Sequence, residues 1–173
     1  MNLRYALDSS VLSETSKQRP DLGILLWLAQ VRRLVIPVGT IIEFEYGIHL
    51  AAEHDLEKAL ALTDWLEGLL ASGMRVAETD VNVARKYGQM RACGALRPFF
   101  EAPVGSRRIK GGQDVHIAAA AIAHELVIAT LNVKDFLTIH RYFPLPGLYN
   151  PKEDHWYVVP GDKRVRYRDF VAA

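Results

Sequence analysis

The sequence predicts an α/β fold: a central parallel sheet of four or five short strands with helices on both faces. Two observations carry this. Short, mostly apolar runs such as LRYAL, LVIPV and LVIAT recur along the chain, as strands buried on both faces require. Between them lie longer segments whose apolar residues repeat at helical spacing, and that alternation marks a βαβ architecture.

The elements follow in order. The first strand covers residues 3–7. Helices follow over 9–18 and 21–33, the second starting at Asp21 with Leu22, Leu25, Leu26 and Ala29 on one stripe. The second strand is 34–38, with Pro37 near its end, where a missing donor matters less. Thr40 is the expected N-cap of a helix over 41–52. An amphipathic helix spans 55–71 and stops near Gly73. A third short strand covers 74–77, and Asp80 caps a helix running to about Ala95. Residues 96–112 read as a loop rich in Gly, Pro and Arg. An alanine-lined helix covers 113–125 and the fourth strand 126–130; past residue 144 only short pieces and turns are expected.

The bulk numbers bound the function. A chain of 173 residues is one domain, large enough to bury a core without disulfide staples. Its one cysteine, Cys93, has no internal partner, which suits a reducing cytoplasm. The opening MNLRYALD meets a carboxylate before a signal-peptide core could form, and no apolar run approaches the roughly 20 residues of a membrane span. The net charge of +1 is uninformative, but basic residues cluster at Arg107, Arg108 and Lys110 and again at Lys163, Arg164, Arg166 and Arg168.

Ligands of a parallel sheet gather beyond the C-terminal ends of its strands. Asp8 stands at such an end. Glu43 lies in the first helical turn after the second strand, and Asn132 just past the fourth. Asp114 opens the helix that runs back antiparallel to the fourth strand, so it belongs to the same edge. Glu43 and Asp114 each head an apolar stripe, Tyr46-Gly47-Leu50-Ala51 and Ile117-Ala118-Ala121-Ile122, so both are expected to face the sheet. Two carboxylates 4 Å apart repel by about 4 kcal/mol at an effective dielectric of 20, which a divalent cation offsets. Oxygen donors suit Mg²⁺ or Mn²⁺, and no Cys/His spacing suggests zinc. Taken singly, each residue has a plainer role: Asp8 as a helix cap, Asp114 as a dipole partner, Glu43 as a surface group.

These residues sit in stretches that resemble the PIN-domain ribonucleases, above all the VapC-type toxins of toxin–antitoxin pairs. YALDSSVLSE is similar to the family's first motif, VIPVGTIIEFEYGI to its second, DVHIAAAAIAHELVIATLNVKDF to its third and fourth, and LPGLYNP to its ending. The resemblance covers roughly residues 3–151 and implies a PIN-like fold. It implies that Asp8, Glu43 and Asp114 bind metal, with Asn132 where many members carry a fourth acid and Asp135 close by. The family commonly has threonine and asparagine after the first aspartate, where this chain has Ser9 and Ser10.

The expected activity is metal-dependent endoribonuclease cleavage, with Arg107, Arg108 and Lys110 gripping RNA phosphates. The expected partners are a cognate antitoxin, RNA and a second copy in a homodimer, with no membrane. A degenerate PIN module that binds RNA or protein without cleaving is the alternative; a haloacid-dehalogenase-type phosphatase would need a second aspartate where Ser10 stands. The nuclease domain is expected over residues 1–151. The extension, 152–173, reads as a hairpin pairing Tyr157-Val158-Val159 with Val165-Arg166-Tyr167. Cys93, Trp27 and Trp65 read as structural, and His49, His54 and His116 as surface or supporting groups.

Overall fold

The computed structural model describes residues 3–101 and 111–161. Among them, six strands form one sheet in the order β3-β2-β1-β4-β5-β6. They are β1 (Tyr5–Leu7), β2 (Leu34–Pro37), β3 (Arg75–Ala77), β4 (Val127–Ala129), β5 (Leu148–Asn150) and β6 (His155–Val158). The first five run parallel and β6 turns back antiparallel beside β5. The helices are α1 (Ser9–Leu12), α2 (Leu22–Gln30), α3 (Val38–Ala52), α4 (Leu56–Ala71), α5 (Val81–Ala92), α6 (Gln113–His124) and α7 (Val133–His140). No described helix is long and apolar enough to cross a membrane.

Successive strand residues face opposite sides, which makes two cores. Ala6, Val35 and Ile128 pack with Val83 and Met90 of α5, Ile117 and the alanines of α6, and Phe136 and Ile139 of α7. Leu7, Ile36 and Ala129 pack on the other face with Val11, Leu12 and Ile24. Each fully buried Leu or Ile contributes about 1.5–3 kcal/mol. The alanine run of α6 is buried all round, because that helix lies between the sheet, α3 and α5.

The structure corrects several local expectations. Five parallel strands match the four or five expected, and β6 adds a sixth, antiparallel one at the edge of the sheet. The helix expected over 9–18 stops at Leu12 and continues as a 3-10 turn over Ser13–Ser16. The hydroxyls of Ser13, Thr15 and Ser16 bond back to carbonyls three residues earlier, the competition that weakens helices at such residues. Helix α7 lay in a stretch where no helix was expected.

On α2 the expected stripe faces outward: Leu22 is 71% exposed and Leu26 62%, while Ile24 is fully buried. Thr40 is not a cap. It lies inside the first turn of α3, whose N-cap is Pro37, and its hydroxyl donates to the Leu7 carbonyl at 2.8 Å. That bond ties α3 to the end of β1. Helix α5 ends at Ala92, and Gly94–Phe99 forms a 3-10 helix where a loop was expected. In the C-terminal region β6 pairs with β5, Tyr149 lying in register with Trp156; the arm expected at Val165-Arg166-Tyr167 lies outside the described residues.

Candidate functional site

The strand order makes β1 and β4 neighbours although β2 and β3 lie between them in sequence. The chain leaves β1 towards one edge and later returns to its other side, so the crevice beyond β1 and β4 is the topological switch point. Asp8 and residues 130–132 flank it. The Asp8 amide donates to the Ala129 carbonyl at 3.0 Å, which locks the two strand ends together.

Asp8 occupies the N-cap position of α1, yet its carboxylate makes no capping hydrogen bond. Its Oδ2 instead accepts from the Ser10 hydroxyl at 2.5 Å and the Thr130 hydroxyl at 2.7 Å. The side chain is 2% exposed. Burial pushes its carboxyl above the ordinary range, against the opposing pull of those hydroxyls and of the Ser9 and Ser10 amides. Asp8 is thus the cap of α1 by position, but its side-chain hydrogen bonds go to the Ser10 and Thr130 hydroxyls, so helix capping alone does not account for it.

Glu43 lies on the first turns of α3, and its Oε2 accepts from the Ser9 hydroxyl at 2.8 Å. Burial raises its pKa, the Ser9 hydroxyl opposes that, and the nearby Asp8 charge adds to it. The helical phase expected for Glu43 is not what places it. Tyr46 and Leu50 of its stripe are exposed, and α3 instead buries Ile48 against α4. Proximity to β1 places Glu43, through the Thr40 bond and the close approach of α3 to α6. A Cβ at Gly39 would stand 2.9 Å from His116 Nδ1 and 3.0 Å from Ile117 Cγ1, so only glycine fits there unstrained.

Asp114 is in the first turn of α6, whose N-cap Gly112 has φ 68°. Asn132 is the N-cap residue of α7. Its Nδ2 donates to Asp135 Oδ2 at 2.9 Å and, at the long limit of 3.5 Å, to Asp114 Oδ2. Thr130 joins the two halves of the cluster, because its hydroxyl oxygen also accepts from the Asn132 amide at 2.8 Å. The five predicted positions thus fall into two groups, Asp8 with Glu43 and Asp114 with Asn132 and Asp135. Among the described residues no three acids or imidazoles close around a single point. Hydrogen-bond donors from Ser9, Ser10, Thr130 and Asn132 occupy carboxylate lone pairs that a cation would otherwise use. Arg107, Arg108 and Lys110 lie outside the described residues.

Two contributors escaped the sequence reading, Thr130 and the hydroxyl of Ser10. Where the family commonly has asparagine, the Ser10 hydroxyl donates to Asp8 Oδ2 and accepts from the Leu131 amide at 3.0 Å. A hydroxyl at the end of the fourth strand was the available signal for Thr130. Thr130→Val is expected to lower stability by about 1–3 kcal/mol, since it strands the Asn132 amide and removes a donor from Asp8; thermal unfolding measures this. His116 was read as a surface or supporting group. It is buried, with Nε2 3.0 Å from the Thr79 hydroxyl, and burial lowers its pKa. His124, at the end of α6, places its Nε2 3.2 Å from the Glu78 carbonyl. Trp27 and Trp65 are packing residues, Trp27 against Tyr5 and Trp65 against Phe44.

Known proteins resemble the chain in sequence and in fold. The chain is 30% identical over 134 residues to the VapC ribonuclease Y4jK of Sinorhizobium fredii, covering 75% of this chain and 88% of that protein. The crystal structure of FitAcB from Neisseria gonorrhoeae matches with a TM-score of 0.60 at 24% identity, over 85% of this chain and 97% of that one. DNA-bound VapBC from Salmonella typhimurium matches with a TM-score of 0.55 at 26% identity, over 78% and 91%. The PIN domain model matches residues 5–139, a span that holds all five acidic-edge positions from Asp8 to Asp135, and the chain belongs to the PIN-domain family.

Proposed function

We propose that the protein is a metal-dependent endoribonuclease and the toxin of a toxin–antitoxin pair. The observation that carries this reading is the buried Asp8, held by two hydroxyls at the switch point, with Glu43 beside it and the Asp114–Asn132–Asp135 group across Thr130. A VapC ribonuclease among its relatives supports the same reading. The donors are all oxygens, and burial raises the carboxyl pKa values of Asp8 and Glu43, with the Asp8 charge adding to that of Glu43. That chemistry fits Mg²⁺ or Mn²⁺, held by Asp8, Glu43 and Asp114 with Asn132 or Asp135 contributing directly or through water. When bound, the ion lowers the pKa of a water and offsets charge on the scissile phosphate. Ser10 and Thr130 keep Asp8 oriented. Glu43, whose Oε2 accepts from the Ser9 hydroxyl, would hold the ion through its other oxygen, and Glu43 or Asp114 would orient the attacking water.

Purified protein incubated with structured RNA tests this directly. Cleavage should require Mg²⁺ or Mn²⁺ and should disappear in Asp8→Asn and in Asp114→Asn; cleavage surviving both points to a contaminant or another site. A second reading, a PIN module that binds without cleaving, draws on the donor amide of Asn132 standing among the acids. Such a module takes up little Mn²⁺ in a titration, whereas the nuclease binds it.

The raised pKa values fix the sign of a pH effect. Metal-free native protein binds more protons than the unfolded chain between the ordinary carboxyl range and the raised values of Asp8 and Glu43. Its stability therefore falls as pH rises through that window. The ion binds the deprotonated acids, so the rise in Tm on adding Mg²⁺ or Mn²⁺ should grow across the same window. Scanning calorimetry in EDTA and in metal at several pH values reads both slopes. A metal-induced shift independent of pH would exclude these two acids as ligands.

The antitoxin and a second copy of the chain are the partners of this reading, with the cytoplasm as its compartment. Exposed apolar side chains on α2 (Leu22, Leu26), α3 (Ile42, Leu50) and α4 (Leu56, Leu60) supply surface for both. Light scattering on the isolated protein should give twice the monomer mass.

A further inference from the structure

The sheet has a second charged edge. Arg4 immediately precedes β1, Arg32 and Arg33 precede β2, and Arg75 begins β3. These three strands are adjacent in the sheet, so their N-terminal ends lie side by side, about 5 Å apart per strand. Together the four arginines line a cavity of about 600 Å³, with Ser72 and Gly73 also in its lining. No aspartate or glutamate is among the described residues lining it. Arg4 donates to the His124 carbonyl. Arg32, Arg33 and Arg75 are exposed and take part in no ion pair among the described residues.

We propose that this cavity is a second binding site, which takes phosphate groups at the edge of the sheet opposite the acidic cluster. Arg4 and Asp8 are four positions apart on an extended strand, so the two edges are separated by about 13 Å along it. An anion that enters offsets the mutual repulsion of four guanidinium groups gathered without a carboxylate. Guanidinium is the group whose planar fork matches a phosphate with two parallel hydrogen bonds. No aromatic ring lines the cavity, and its charged groups are guanidinium donors that match phosphate oxygens. The phosphate has two sources, the backbone of an RNA strand or a free phosphorylated small molecule. The RNA source rests on the nuclease reading above, and the phosphate site itself does not.

The test uses the full chain in EDTA, so that nothing is cleaved. Pyrophosphate binding is measured by calorimetry and binding of a labelled single-stranded RNA by fluorescence anisotropy. Wild type should bind pyrophosphate saturably. The double variant Arg32→Glu/Arg75→Glu should weaken that binding by at least about tenfold, since it removes two charged donors and places two like charges beside the anion. Arg97→Glu, an equal kind of charge change on an exposed residue elsewhere, should leave it unchanged. If the glutamate variant fails to fold by circular dichroism, Arg32→Gln/Arg75→Gln carries the same expectation. A parallel loss of RNA affinity identifies RNA backbone as the occupant; pyrophosphate loss with RNA binding unchanged identifies a small phosphorylated ligand. Absence of saturable pyrophosphate binding in wild type, or an equal loss in Arg97→Glu, overturns the site. A protein that binds pyrophosphate here but never cleaves RNA retains this site and loses the nuclease reading.

Discussion

Asp8→Asn is expected to lower metal-dependent RNA cleavage by more than about 100-fold, because substitutions merely supporting a metal ligand already cost 10–100-fold. The same substitution should raise the Tm of the metal-free protein. Asp8 is buried, and burial disfavours its charge more than its hydrogen bonds favour it. Asparagine removes the charge and keeps an oxygen to accept from Ser10 and Thr130. Added Mg²⁺ should then stabilise wild type and leave the variant nearly unchanged. Opposite movement of activity and stability separates a functional acid from a structural one. A variant that loses both would mean that the carboxylate holds the fold, and one that loses neither would remove Asp8 from the site.

Phe136→Ala is expected to have the largest effect on stability. Phe136 is fully buried on α7, within the core shared with α5 and α6. Truncating a buried phenylalanine costs about 3–5 kcal/mol, against a total of roughly 5–15 kcal/mol for a typical domain. At about 2–4 °C for each kcal/mol in a domain of this size, Tm should fall by roughly 6–20 °C. Helix α7 begins beside Asn132 and carries Asp135, so activity should fall at temperatures where the global fold still holds. Circular dichroism melts and cleavage assays at several temperatures measure the two. A loss below about 1 kcal/mol would mean that α7 is not packed as described.

The cores show why some elements were legible and others were not. The strands over 34–37 and 127–129 announce themselves as apolar runs because both faces are buried. Helix α4 is legible from its length, its amphipathic pattern and Asp55, which accepts from the Lys58 amide at 2.9 Å. Helix α7 carries an apolar stripe at helical spacing, Val133, Phe136 and Leu137, but its eight residues fall short of the length that identifies a helix from pattern alone. On α2 apolar residues surround the whole helix, so composition could not tell the face of Ile24 from that of Leu22. Glu43 lies beside Asp8, but helical phase does not place it there, since an apolar stripe leads to the core only when something covers it.

Sequence alone determined the α/β class and the edge on which the acids lie, because both follow from local rules. Strand ends, helix starts and the direction of a crossover can be read from a few consecutive residues. Only the tertiary structure decided what Asp8 touches. Thr130 lies 122 positions away, and its hydroxyl reaches Asp8 because Leu7 stands in register with Ala129 across β1 and β4. The same holds for the four arginines at the opposite edge, which are scattered from Arg4 to Arg75 in sequence and meet because β3, β2 and β1 are neighbours. Register and strand order arise from how both faces of the sheet are buried at once, a property of the whole chain that no single segment encodes.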